Sequence, residues 1–486
     1  MRSLKNTAKF ITFIVSLSFM LGACTNTTQK SLETSGSTGT IPTQKIPDPA
    51  QAQTLTPEAI PPSATSTRSA YMEIDEGSLK GITLDFVHPW SGETAKALQA
   101  LVNEFNKVNE WGINVLVNSS GGNETLYDQL QENLATDAMP DIVAINPYLA
   151  HRLEDDHYWL DITEYLHDEQ WGIAQTEIDM IPEVFLHQSK VGSGMLGMPI
   201  GISTSALYYN QTWAKELGFS NPPSTPGELQ QQACAAAQTK KTDNDIENNG
   251  TGGMWINSTP ISVISWYKAF GGSIPDGSEI TQFNDQAAVE SFTYIKELFD
   301  LSCAWIGRQP TPYDYFATRY TLVYPGNLED MDLQANAFVK AGSQDEWILI
   351  PYPTLDGNGS YLVDGSTLLI SVAKPETQLA SWLFVRWLSS SPAQQVFSNT
   401  SLYWPLQLSS VMTMDDLLAE HPQFDDMAMD VSKAFTAPSY PAWAMDRMVL
   451  QDAFWQYLTG YQQNLPDVLT LLDATIAELS EPGDGN

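Results

Sequence analysis

Between residues 82 and 145 the hydrophobic period of the chain switches repeatedly. Ile82, Leu84 and Phe86 alternate with Thr83 and Asp85, the period of a half-buried strand. Ala97, Leu98, Leu101, Val102, Phe105 and Val108 then recur at helical spacing. Residues 113–117 read as a second strand, Leu126, Leu130 and Leu134 mark a second helix, and 141–145 is a short, continuously apolar third strand. Strand–helix–strand–helix–strand requires a parallel sheet with right-handed crossovers, so the class is α/β. Ligands in such sheets bind beyond the carboxyl ends of the strands. Those ends carry His88-Pro89-Trp90-Ser91, residues 119–124, and Asn146-Pro147-Tyr148.

A second α/β region follows. Residues 205–210 read as a strand; 213–217 and 228–238 read as helices, separated by a Pro-rich stretch at 221–226. Val289, Phe292, Ile295, Leu298 and Phe299 form an apolar helical stripe. Residues 367–372 are another buried strand, and Leu379, Leu383, Phe384, Trp387 and Leu388 another helix. The remainder is mostly helical with aromatic loops, and no solenoid repeat is present.

The amino terminus is of a different kind. Arg2, Lys5 and Lys9 precede an apolar run at 10–21 that is too short for a comfortable membrane span. It ends in Leu21-Gly22-Ala23-Cys24, which resembles the bacterial lipobox. The resemblance implies a signal peptide at 1–23 and a diacylated Cys24 that anchors the chain to the cell membrane, in the periplasm or on its outer face. Residues 24–78, rich in Ser, Thr, Pro, Gln and Ala, read as a flexible tether.

Lys and Arg number 23 against 58 Asp and Glu, a formal charge of −35. A nucleic-acid binder must neutralise phosphates, so nucleic acid is excluded as a partner, and so is docking on anionic lipid. Cys234 and Cys303 are expected to form a disulfide outside the cytoplasm, with a pair of buried free thiols as the alternative. Both sit in helical patterns, Cys303 at the end of one spanning 288–303. The six His are scattered, without a zinc-type pair. Residues 243–250 resemble a calcium loop starting at Asp245, but Ile256 stands where a bidentate Glu is needed. No metal and no cofactor is expected.

Four stretches, in order, resemble bacterial ABC-transporter solute-binding proteins of the maltodextrin and multi-sugar type. Residues 197–210 with 213–218 look like the family's crossing from first to second lobe. Residues 223–229 look like its P-x-T-W-x-E-L helix start, with Pro226 where Trp is usual. Residues 283–290 look like its F-N-x-x-x-A-V-E helix start. Residues 365–372, 380–388 and 391–395 look like the return crossing and the S-P-x-x-Q turn. The resemblance implies two α/β lobes with hinge crossings and a ligand cleft between them: lobe one at 79–203 and 355–397, lobe two at 204–354 and 398–486. It implies a monomer that performs no chemistry and hands a mono- or oligosaccharide to ABC permease subunits.

Sugars present apolar C–H faces and a belt of hydroxyls, which aromatic platforms and planar polar groups answer. Asn123 and Glu124 open the second helix, where they serve as ligand contacts or plain caps. Asn146 and Tyr148 follow the third strand. Tyr324 and Asn327 lie in a stretch read as a loop over the ligand, after a strand at 321–323. The resemblance adds Trp90, Ser203 on the first crossing, Trp266 on a helix facing the cleft, and Asp364, Gly365 and Ser366 at the second crossing. Tyr403, Trp404, Tyr440, Trp443 and Arg447 are late aromatics and a cation in loop context. A secreted glycoside hydrolase finds no support in G-x-S-x-G, H-E-x-x-H or P-loop motifs. A phosphate ligand would need Arg or Lys that the strand-end loops lack; a polyamine or peptide remains open.

Overall fold

The computed structural model describes residues 74–480, apart from 137, 154–157, 192–193, 275–280, 429–430 and 461–462. The signal peptide, Cys24 and all but the last five residues of the tether lie outside the described residues. The initial alternation becomes β1 (Thr83–His88), with Leu84 and Phe86 buried and Thr83 and Asp85 exposed. β2 (Asn114–Ser119) and β3 (Ile142–Ile145) pair with it in parallel on either side. The crossovers are the helices Gly92–Val108 and Asn123–Thr136, as the switching period requires.

A small hairpin, β4 (Lys190–Val191) with β5 (Gly194–Met195), leads into β6 (Gly197–Asn210), which is buried along its whole length. Then come β7 (Gly252–Trp255), β8 (Ala304–Trp305), β9 (Thr321–Asn327), β10 (Trp347–Ile350), β11 (Tyr361–Ile370) and β12 (Ala434–Thr436). The sheet order is β2-β1-β3-β11-β6-β9-β7-β8, with β10 on β6 and β12 on β11. β1 to β3 and β7 to β9 lie at opposite ends of this order, joined through β11 and β6. At about 3.3 Å per residue, β6 extends for roughly 45 Å.

Apolar layers cover both faces of this sheet. Leu84, Phe86, Ile200, Ile202 and Tyr208 lie in one; Val143, Ile145, Leu207 and Tyr209 lie in the other. Strands buried on both faces read as continuous apolar runs rather than alternations, which is how 141–145 and 205–210 read in the sequence. No helix among the described residues is long and apolar enough to cross a membrane.

Two expectations change. Residues 324–327 are the end of β9, not a loop: Pro325 pairs with Leu207 and Gly326 with Ala206, so tertiary pairing overrides the Pro-Gly turn signal. The helix expected over 288–303 stops at Asp300, which places Cys303 in the turn before β8. Cys234 comes from helix Pro226–Thr242, whose start is fixed by a reciprocal Thr225–Glu228 capping box. The structure joins the two Cys in a disulfide with a sequence separation of 69. Closing a loop of that length stabilises by about 4 kcal/mol in the chain-entropy account. Reduction with dithiothreitol, or the double variant Cys234→Ala/Cys303→Ala, should therefore lower the melting temperature by several degrees. A calorimetric scan with and without reductant checks this.

Candidate functional site

The carboxyl ends of β1 and β3, the start of helix Asn123–Thr136 and the middle of β6 and β11 converge on one cavity of about 190 Å³. Trp90, Asn123 and Asn146 line it from the β1 and β3 side, Ser203, Asp364, Gly365 and Ser366 from β6 and β11, and Asn327 from the end of β9. These are the strand-end and crossing positions singled out in the sequence. Gly201, Thr204, Ser205, Ile261, Leu362, Tyr403 and Glu329 complete the lining. A larger hollow of about 670 Å³ lies away from the strand ends, beside Trp111 and Arg386. There the Arg386 guanidinium donates to the Trp171 carbonyl at 2.8 Å, so it is already engaged.

Trp90 forms the aromatic wall. Its ring stacks on His88 with centroids 5.6 Å apart and meets Phe397 edge-on at 5.6 Å. Burial lowers His88 to about 4, so the ring under Trp90 is neutral at physiological pH. The indole also presses on Gly201: a Cβ there would sit 2.7 Å from Trp90 Cζ2, and Gly201 has φ +61°. Glycine is thus required twice over. The β6–β11 register slips between Asp364 and Ser366: Gly201 and Ile202 together oppose the single Gly365, a bulge in β6. Asn123 Oδ1 accepts from the Asn146 backbone N–H at 3.2 Å and ties two strand-end loops together.

Glu329 is the residue that sequence reasoning missed. It follows β9 directly, and its only sequence signal is an acid two positions beyond the Asn327 that was selected. The Ser203 hydroxyl donates to its carboxylate. Burial, reinforced by Asp330 and more weakly by Asp364, pushes Glu329 up to about 7. Burial also raises Asp364 to about 6, against the pull of the Gly365 N–H and Arg447. Asp330 is occupied: it accepts from Tyr313 Oη at 2.7 Å and the Asn327 N–H at 3.0 Å.

The remaining selected residues lie elsewhere. Trp266 packs edge-on against Tyr352 at 5.0 Å and is core. Tyr324 stacks on Tyr208 at 4.6 Å and donates to Gln334, also in the core. Trp443 is buried against Tyr440. Trp404 supports the cavity from behind, its indole N–H donating to Thr204 Oγ1 at 2.7 Å. Arg447, Glu124 and Tyr148 form a separate group. Arg447 Nη2 donates to Glu124 at 2.8 Å, and its guanidinium covers the Tyr148 ring at 4.4 Å. This joins helix Trp443–Thr459 to the starts of helices Asn123–Thr136 and Pro147–Arg152. In the acidic loop, Asp243 and Asp245 accept hydrogen bonds from Asn248 and Glu247 of the same loop. No group suited to a metal ion occurs among the described residues.

The raised Glu329 has a thermodynamic consequence. Between its ordinary 4.5 and about 7, the unfolded chain has released this proton while the folded protein keeps it. Stability therefore falls as pH rises through that window. Glu329→Gln, which keeps an acceptor for Ser203, should melt higher than wild type at pH 8 by a few degrees and no higher at pH 4.5. Melting curves of the ligand-free pair at the two pH values check this.

Residues 100–426, more than half of the chain, match the family profile described as bacterial extracellular solute-binding protein. No curated protein matches the sequence significantly. Solved structures do match in fold. The cyclic alpha-maltosyl-1,6-maltose binding protein from Arthrobacter globiformis superposes with TM-score 0.68 at 16% identity, over 82% of this chain and 98% of its own. The sugar-binding protein MalE from Xanthomonas citri gives TM-score 0.68 at 18% identity, over 82% and 97%. The GacH receptor of Streptomyces glaucescens, solved unliganded and with acarbose, gives 0.64 at 18%, over 82% and 98%.

Proposed function

The chain belongs to the bacterial extracellular solute-binding protein family, and on that premise we propose that it captures a carbohydrate between its lobes and delivers it to an ABC importer. It acts outside the cytoplasm, held to the membrane through a lipidated Cys24 and the tether 24–78, and it carries out no chemistry on its ligand. Lobe one comprises 79–203 with 355–397, and lobe two 204–354 with 398–486. The observation that carries this reading is the convergence of Trp90, three Asn side chains and the Ser203 and Ser366 hydroxyls on one cavity. An aromatic face and planar amides are what a sugar's C–H face and hydroxyls require. The sugar-binding proteins with the same fold support it. A phosphorylated ligand is disfavoured, since no Lys, Arg or His lines the cavity among the described residues.

At about 190 Å³ the cavity is smaller than the roughly 300–1,000 Å³ of a typical small-molecule pocket, so an oligosaccharide requires the lobes to part. Hinge motion about β6 and β11 supplies that opening, and the Arg447–Glu124 contact is one that closure makes.

A thermal-shift screen of mono- and oligosaccharides tests the assignment. A sugar at 100 times its Kd stabilises by about 2.7 kcal/mol, a rise of several degrees. Trp90→Ala should then weaken binding by about tenfold or more, the loss of an aromatic anchor. The sugar should be recovered uncleaved; no shift with any saccharide, in a folded sample, would sink the reading.

Arg447→Ala tests closure. The exposed ion pair contributes about 0–1 kcal/mol and the cation–π contact about 0.5–1. Affinity should fall several-fold without being abolished, and small-angle scattering should show a larger radius at partial saturation. An unchanged radius on adding saturating sugar to wild type would count against closure.

A further inference from the structure

On the reading of the cavity as a carbohydrate site, we infer that its ligand carries a protonated amine, held by the carboxylates of Glu329 and Asp364. Both carboxylates line the cavity, and no cationic side chain lines it with them among the described residues. Arg447 acts on Asp364 only through space, against the effect of burial, while its guanidinium bonds Glu124 and covers the Tyr148 ring. Glu329 accepts from the Ser203 hydroxyl, and Asp364 accepts from the Gly365 N–H at 2.9 Å. An ionised carboxylate accepts about four hydrogen bonds, so each has acceptor capacity left over.

A second, independent observation points into the same space. Ser366, only 4% exposed, lines the cavity beside the two acids, and its hydroxyl is an added donor or acceptor for a ligand held there. Trp90 and Tyr403 add aromatic faces, which attract a cation as well as a C–H surface.

The choice of ligand follows from charge. A neutral sugar offers hydroxyls, each with one donor and no charge, and leaves two enclosed carboxylates without a counter-ion. An ammonium offers three donors and the missing charge. Asn123, Asn146 and Asn327 remain for the neutral hydroxyls of the same molecule. The class is therefore an amino sugar or an oligosaccharide that contains one.

Matched ligands test this by calorimetry on the purified protein at about pH 7.5, above the values of about 7 for Glu329 and about 6 for Asp364 and still within the range where an amine is largely protonated. Short β-linked glucosamine oligomers are compared with their N-acetylated forms, with maltotriose and with spermidine. The expected result is at least about tenfold tighter binding of the free-amine oligomer, weakening as salt is raised. Glu329→Gln and Asp364→Asn should each lower the ratio of free-amine to N-acetylated affinity several-fold, whatever they do to the affinity for neutral sugars. Should either variant fold poorly, the salt dependence in wild type decides by itself. Equal or tighter binding of the N-acetylated oligomer or of maltotriose overturns the amine inference and leaves the carbohydrate function standing. Binding of spermidine alone overturns the carbohydrate reading, and this inference with it; silence from the whole panel overturns the amine inference.

Discussion

The antiparallel pairing of β6 with β11 is the constraint on which the molecule depends. Gly197 to Ile200 are bonded to one half of β11, and Ser203 to Ser205 to the other half. These two strands join a parallel sheet to a mixed one, so the lobes share a single ladder. The register slip at Gly365 falls where the lobes meet. A bulge bends its strand and re-aims neighbouring side chains. Here the bulge at Gly201-Ile202 lies beside Ser203 and across from Asp364 and Ser366, and all three line the same cavity. Gly201, within the bulge, leaves Trp90 the room to pack against the strand. Polar floor and aromatic wall therefore both depend on this one pairing.

Electrostatic cost separates the two polar groups at the lobe boundary. Arg447 with Glu124 is a paired, partly solvated contact whose contribution is small, of order 1 kcal/mol. Glu329 and Asp364 are enclosed acids without a paired base, raised by burial, and their ionisation opposes folding. In a chain whose formal charge is already −35 with these two acids counted, interior negative charges are not offset by a surplus of cations. Local features that work against stability mark places where function, not folding, selected the residue. By that measure the acids, more than the aromatics, identify the binding cavity.

Most of the architecture was legible because the parallel-sheet rule is strict. Once 82–145 is read as βαβαβ, the ligand side of the first lobe is fixed, and Trp90, Asn123 and Asn146 follow from position alone. The crossings were legible from motifs, which brought in Ser203, Asp364, Gly365 and Ser366. What stayed hidden depends on partners distant in sequence. Pro325-Gly326 looks like a turn until Leu207 and Ala206 pair with it, and misreading that stretch concealed Glu329 just beyond. Trp266, Tyr324 and Trp443 are the right residue types for a sugar platform. Only their contacts with Tyr352, Tyr208 and Tyr440 show that they are core. Arg447 was visible as a late cation, but its partner Glu124 lies 323 positions away.

The sheet order also sets a sequence of events for a chain that emerges from its amino end. β3 is flanked on one side by β1, which precedes it, and on the other by β11, which comes only after β4 to β10. Until residues 361–370 arrive, the first three strands present β3 as a bare apolar edge, Ile-Val-Ala-Ile, open to pairing with any other chain. The disulfide cannot shorten that wait, because both of its cysteines lie between the two strands and close a loop within the intervening segment. The vulnerable interval during synthesis is thus written into the topology: the edge of β3 stays open until a strand more than 200 residues later arrives to cover it.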